Sequence, residues 1–251
     1  MIQKKNIFKI PKIIHQIWDD TVKPLPYQFK ILSKTWKYHY PDWQYEFWDN
    51  MRMNKFVTNY YPEFLEMYNN FPYNIQRCDA IRYLILKKHG GMYVDFDYES
   101  IRPLDELIYD KTCCFSQEPI SHYKNKGDKS FSFNNALMLA TPDHLFINRI
   151  IEKVFSEGNV NKRAIHKTDT VFETTGPFII TKLYNMLTPK EVSLIYLIPP
   201  EYVSPFDMVQ SYWVRNNKIN VFLEERLVNS YAVHYFLGTW VPERNELDEL
   251  K

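Results

Sequence analysis

His89-Gly90-Gly91-Met92-Tyr93-Val94-Asp95-Phe96-Asp97 is the stretch on which the reading of this chain turns. It follows a segment ending in Lys87, Lys88 and His89, breaks at paired glycines, and resumes as an apolar run carrying two carboxylates. That order predicts a helix with a basic end, a tight turn suited to glycine, and a short strand. Strand side chains alternate between faces, so Asp95 and Asp97 are expected to share one face while Val94 and Phe96 point into a core. A hard divalent cation such as Mn2+ or Mg2+ usually takes one or two carboxylates from protein and keeps positions for water and phosphate oxygens. An isolated Asp-x-Asp is more often a pair of solvated aspartates, so its surroundings decide.

Upstream, the pattern predicts a helix over 74–89, with Asn74 as N-cap, Ile75, Cys78, Ile81 and Ile85 on one face, and Gly90 as the stop. Asp79 and Arg82 are three apart and share a face. As a surface ion pair they would contribute only ~0.2–0.5 kcal/mol. Their helix, however, leads into the Gly-Gly turn, which would aim them at the same cleft as the aspartates.

Further out, strands are predicted over 12–18, 44–48, 112–118, 135–140, 194–198 and 230–236. Helices are predicted over 28–39, 62–70, 145–155 and 177–187, the last opened by Gly176-Pro177. Strands and helices alternate through the first two thirds, which predicts an α/β fold with a mostly parallel central sheet flanked by helices. Ligands of such sheets sit beyond the carboxyl ends of the strands, where the two aspartates fall.

The composition narrows the class. At 251 residues, without repeats or Gly/Ser-rich linkers, a single catalytic domain over 1–251 is expected. The balance of 31 basic against 30 acidic side chains offers no basic stripe, which argues against a nucleic-acid partner. Three cysteines, Cys78, Cys113 and Cys114, are too few for a disulfide framework, and the adjacent pair would point apart in a strand. Residues 1–8 are basic but lack a long apolar run, so a cytoplasmic protein without a transmembrane segment is expected, its membrane contact at most peripheral. No Gly-rich phosphate loop, Gly-x-Ser-x-Gly elbow or His-x-x-x-His spacing is present.

Arg77-Cys78-Asp79-Ala80-Ile81-Arg82-Tyr83, followed by residues 90–97, resembles the sugar-binding region with a DXD motif found in glycosyltransferases. The likeness is to family 32, the fungal Golgi mannosyltransferases and bacterial capsule and lipopolysaccharide transferases, and more distantly to α-1,4-galactosyltransferases and large glucosylating toxins. Ile10-Pro11-Lys12-Ile13-Ile14-His15-Gln16-Ile17-Trp18 is similar to that family's first strand, and Asn135, Gly176-Pro177 and residues 234–240 fall in its expected order.

The resemblance implies a GT-A type, Rossmann-like fold and a metal-dependent transferase of polysaccharide biosynthesis. Such an enzyme moves a sugar from a UDP- or GDP-hexose to a hydroxyl of a saccharide or glycoconjugate acceptor, with retention at the anomeric carbon. It also implies roles. Asp97 would ligate Mn2+ or Mg2+ directly, and Asp95 would contact the donor's ribose or sugar while supporting the metal through water. Asp79 and Arg82 would hold hydroxyls of the transferred sugar, Arg82 also near the diphosphate, with Tyr83 and Asn135 in the donor-binding set. Trp18 would stack on the base, although the residues alone equally allow a core tryptophan. His234 would complete the metal shell, although a lone histidine on an apolar strand is more often a satisfied core residue. Trp240 and Thr239 would contact phosphate.

Segments 121–130 and 205–220, the latter with Tyr212, Trp213 and Arg215, are candidates for the acceptor side or a closing lid. Two other readings use the same residues. A metal-dependent nucleotide-sugar or phosphate-ester hydrolase would want ligands for a second metal. A non-catalytic nucleotide-sugar binder would not need the whole constellation.

Overall fold

Alternation decides which layer of the core each strand residue meets. The computed structural model describes residues 8–123 and 131–241; residues 1–7, and 124–130 of the polar segment noted above, lie outside the described residues. The strands are β1 (Ile13–Ile17), β2 (Gln44–Trp48), β3 (Gly91–Val94), β4 (Tyr98–Ser100), β5 (Cys113–Gln117), β6 (Phe133–Ala140), β7 (Tyr196–Ile198) and β8 (Ala232–His234). Six form one sheet in the order β2-β1-β3-β6-β5-β7, and β4 pairs with β8 in a separate antiparallel ribbon. Within the large sheet all strands run the same way except β6, which is antiparallel to both β3 and β5.

The sheet is buried on both faces, which is why its strands read as nearly continuous apolar runs. Tyr93, Cys113, Phe115, Met138 and Ala140 pack toward the helices Asn74–His89, Leu145–Val154 and Pro177–Tyr184. Their sequence neighbours Met92, Val94, Cys114, Leu137 and Leu139 pack on the opposite side with Trp36, Tyr40 and Trp43. Cys113 and Cys114 thus fall in opposite layers, and all three cysteines are free, buried thiols.

The Asn74–His89 helix is a central strut rather than an amphipathic surface helix. Every residue from Gln76 to Leu86 except the half-buried Arg77 is buried, as expected of a helix enclosed on all sides. Asn74 is its first residue rather than its cap. Tyr73 precedes it, with its backbone N–H donating to Gln76 Oε1, while Asn74 accepts from Arg77. The helix ends at Gly90, whose φ is +63°, and Gly91 follows at +95°. A Cβ on Gly91 would stand 2.6 Å from Ile13 O, so both the backbone angle and the approach to β1 require glycine there.

The main correction concerns the two aspartates. β3 stops at Val94, and Asp95, Phe96 and Asp97 form the turn into β4, so the pair is not carried on a strand. The turn is closed by Tyr98 N–H donating to Asp95 O and anchored by Asp95 N–H donating to Ala136 O. Val94 and Phe96 are buried as expected. The helices Asn50–Tyr60 and Lys167–Thr174 and strand β4 were not anticipated by the sequence reading.

Candidate active site

Asp95 and Asp97 lie beyond the carboxyl end of β3, each close enough to feel the other's charge. Asp95 accepts on Oδ1 from the Tyr93 hydroxyl and stands 3.4 Å from Arg82 Nη1. Among the described residues no hydrogen bond reaches its Oδ2, and the side chain is 32% exposed. Burial raises its pKa above the carboxylate norm; Arg82 opposes that shift and the Asp97 charge adds to it.

Asp97 is held by residues 234–237, at and just after β8. Leu237 N–H donates to Oδ2 at 2.9 Å, His234 Nε2 lies 3.3 Å from Oδ1, and Tyr235 N–H donates to the backbone oxygen at 2.9 Å. Burial works against the charged carboxylate, but the His234 charge and these donors outweigh it and hold the pKa below the norm. His234 moves the opposite way: burial disfavours its cation, and Asp97 more than compensates, raising it.

The sequence reading placed His234 in a metal shell, and the fold does bring it to Asp97. Its hydrogen bonding describes a donor. Asn134 Oδ1 accepts from Ala136 N–H at 2.8 Å, which orients the amide so that Nδ2 donates to His234 Nδ1 at 3.0 Å. In its neutral form the ring therefore carries its proton on Nε2, facing Asp97. A histidine ligating through Nε2 ordinarily donates from Nδ1, so cation ligation by His234 would require this clamp to rearrange. Tyr98 stacks on the imidazole with centroids 4.3 Å apart and planes 8° apart.

Asp79 and Arg82 lie behind Asp95, each 4% exposed. Arg82 Nη2 is 3.0 Å from Asp79 Oδ1, Nη1 donates to Asn135 O, Nε donates to Cys78 O, and the guanidinium lies 4.5 Å over the Tyr93 ring. Asp79 also accepts from Thr175 and Asn135. Burial pushes its pKa up to about 6, against the pull of Arg82 and Thr175. Tyr83 is a layer deeper, donating to Thr175 O and accepting from Asn135.

Asn134 and Asn135 reach this cluster through an irregularity. Phe115 pairs with Met138, but the next residue, Ser116, pairs with Asn134, so β6 carries extra residues at this point. Bulges of this kind re-aim side chains beside active sites. Trp18 is half-buried just after β1; its indole donates to Lys23 O, and its ring meets Phe96 edge-on at 6.4 Å. Trp240 packs edge-on against Phe172, and its carbonyl accepts from Lys167, while Thr239 lies beside it in a half-buried turn.

Tyr93, Asn134, Thr175 and Leu237 were missed by the sequence reading. Only Tyr93 carried a signal, two positions before Asp95 on the same strand face. Leu237 acts through its backbone, which no residue identity announces.

The donor set fits a hard cation that keeps much of its shell for water and phosphate. Two carboxylates converge, one with an open oxygen, and no group of three or more acidic, histidine or cysteine side chains forms a metal cage among the described residues.

Comparison with known proteins agrees with this geometry. Residues 26–114 match the family model described as a glycosyltransferase sugar-binding region containing a DXD motif. The chain is 32% identical over 189 residues to inositol phosphoceramide mannosyltransferase 1 of Schizosaccharomyces pombe, covering 73% of this chain and 54% of that protein. It is 42% identical over 163 residues to an uncharacterized glycosyltransferase of Acanthamoeba polyphaga mimivirus, covering 64% of this chain and 62% of that one. The chain thus spans about half to three fifths of the length of these relatives. In fold it matches the PaToxG glycosyltransferase with a TM-score of 0.55 at 17% identity, covering 90% of each chain. This chain carries a glycosyltransferase sugar-binding region of the DXD type and is a relative of the fungal mannosyltransferases.

Proposed function

We propose that this protein is a metal-dependent glycosyltransferase that moves a hexose from a nucleoside diphosphate to a hydroxyl of a saccharide or glycoconjugate, with retention of anomeric configuration. The observation that carries the reading is the turn after β3, where Asp95 and Asp97 converge above the buried Asp79–Arg82 pair. Relatives named as mannosyltransferases favour GDP-mannose as the first donor to try.

Asp95 and Asp97 would hold a divalent cation, which acts as a Lewis acid on the departing diphosphate. The chain's own residues prepare that arrangement. Arg82 and the Tyr93 hydroxyl hold Asp95 by its Oδ1, and among the described residues its Oδ2 accepts no hydrogen bond. His234 and the Leu237 N–H fix Asp97, so neither carboxylate has to reorganise when charge develops on the leaving group. Trp18 contributes an aromatic edge beside Phe96 where a nucleotide base could lie.

The test is nucleotide release from GDP- and UDP-sugars with Mn2+, with and without mannosides and inositol phosphoceramide as acceptors. A transferase gives acceptor-stimulated release that disappears in Asp97→Ala. Release at the same rate without acceptor would identify a hydrolase, and binding without release across the panel would identify a sugar-nucleotide binder.

A further inference from the structure

A cavity of about 870 Å3 lies outside the carboxylate turn, and none of Asp79, Arg82, Asp95 and Asp97 lines it. Its walls come from the segment after β5, the helix Pro200–Val203, and the helix Val221–Leu227 with the residues that follow it. Ser204, also in the wall, is 2.9 Å from the hydroxyl of Tyr98, the ring that stacks on His234. The cavity therefore adjoins the candidate active site without sharing its carboxylates.

Part of the wall is already held in place. Asp207 accepts from the Gln210 N–H at Oδ1 and from the Ser121 hydroxyl at Oδ2, Arg226 Nη1 donates to Pro205 O and Gln210 Oε1, and Tyr231 donates its hydroxyl to Glu106. The remaining polar groups are open. The side chains of Arg102, Glu201, Glu225 and Asn229 make no hydrogen bond or ion pair among the described residues. The Arg102 guanidinium lies 4.1 Å over the Tyr231 ring, and its Nε is buried without a partner among the described residues. Buried donors left unpaired are rare in native proteins, and each one calls for a partner.

The lining selects a ligand by charge. Arg102 and Arg226 oppose a cation, while Glu201, Asp207 and Glu225 oppose an anion. Donors and acceptors side by side suit a ligand whose own groups both donate and accept, which is the chemistry of the hydroxyl. Next to them Ile120, 58% exposed, Pro200 and the half-buried Tyr202 offer an apolar side for C–H groups. A ligand with many hydroxyls and an apolar face is a sugar ring.

We propose that this cavity is a binding site for an uncharged saccharide, separate from the carboxylate turn and independent of metal and sugar nucleotide. Arg102 and Asn229 donate to its hydroxyls, Glu201 and Glu225 accept from them, and Ile120 and Tyr202 cover its C–H face. The transferase reading concerns the aspartates, and this site stands without it.

Saturation-transfer difference NMR on the full chain, in EDTA and without nucleotide, tests the site with maltose and mannobiose as neutral probes and mannose 6-phosphate and glucosamine as charged ones. The wild-type protein is expected to bind at least one neutral disaccharide, and more tightly than either charged sugar. Glu225→Ala/Asn229→Ala should weaken that binding by about tenfold, and Arg102→Met by about tenfold or more. Near-ultraviolet circular dichroism checks that the variants fold; Glu225 and Asn229 are both exposed, so that pair decides if Arg102→Met does not fold. Asp97→Ala should bind the disaccharide like the wild type, as should the wild type saturated with Mn2+ and GDP. A protein that binds saccharide but releases no nucleotide therefore counts against the transferase reading alone and leaves this site standing. No saturation transfer to either disaccharide, tighter binding of a charged sugar, or unchanged binding in the folded variants would overturn the proposal. Competition by Mn2+ and GDP would do the same, by placing the sugar at the aspartates.

Discussion

Arg82 Nη1 stands 3.4 Å from Asp95 Oδ1, while Nη2 of the same guanidinium holds Asp79 Oδ1 at 3.0 Å. One buried cation thus separates two carboxylates that would otherwise repel each other with little water to screen them. Removing one partner from such an arrangement leaves an uncompensated buried charge, so Arg82→Met should cost about 3 to 5 kcal/mol in urea unfolding at neutral pH. Arg82→Lys retains the charge but not the fork and should lose kcat/KM by at least about a hundredfold while remaining folded. Wild-type stability in Arg82→Met would contradict the network.

Asp97→Asn keeps an oxygen for the Leu237 N–H, so the chain segment around it should stay in place. The charge offered to a cation is lost, and with it several kcal/mol of transition-state stabilisation, or roughly a thousandfold or more in turnover. Chelation of the wild type should produce a similar loss that Mn2+ reverses. Asp97→Asn turning over at the wild-type rate would remove this carboxylate from the mechanism.

Asn134 sets the His234 tautomer, and that is directly measurable. Nitrogen-15 NMR of the metal-free protein should find the neutral His234 ring protonated at Nε2. In Asn134→Ala the clamp from Ala136 to the imidazole is gone, and the two tautomers should mix. A wild-type ring protonated at Nδ1 would instead restore His234 as a ready metal ligand.

His15 links stability to acidity. Burial drives its pKa down to about 4, with the hydrogen bond to Gly90 O only partly offsetting the effect. The unfolded chain takes up this proton near pH 6.5 and the folded one near pH 4, so stability is complete above about pH 6.5 and is lost as the pH falls through that window. The full window is worth up to about 3 kcal/mol. Urea midpoints at pH 7 and pH 4.5 should diverge more for the wild type than for His15→Gln, and equal divergence would exclude this histidine as the source.

Gly91→Ala should destabilise by about 2 to 4 kcal/mol, because the new methyl meets the Ile13 carbonyl in a backbone conformation that L residues avoid. Since β3 leads straight into the Asp95 turn, nucleotide release should fall with stability. A variant equally stable in urea would show that β1 yields at this point.

Much of this molecule could be read from sequence where local chemistry and tertiary demand agree. The Gly90-Gly91 break, the alternating runs of β3 and β5, and the Asp79–Arg82 spacing all kept their expected positions. Asp95 and Asp97 were placed on a strand because their alternation with Val94 and Phe96 is a strand pattern, yet the turn into β4 satisfies it equally well. Asn134, Thr175 and Leu237 were hidden for another reason. Asn134 reaches His234 through a register shift, while Thr175 and Leu237 reach Asp79 and Asp97 through a helix end and a backbone N–H, and none of these leaves a mark in residue type.

The bond from Leu237 to Asp97 spans 140 positions of chain. A ribosome making this protein must add all of those residues after Asp97 before its last restraint exists, and before β8 arrives to cover the edge of β4. Until then the nascent chain carries an unclasped carboxylate turn beside an open strand edge, the kind of surface that invites mispairing or a chaperone. The candidate site is therefore completed long after the turn that carries its two aspartates, and a chain interrupted before residue 232 lacks the His234 and Leu237 contacts that fasten Asp97.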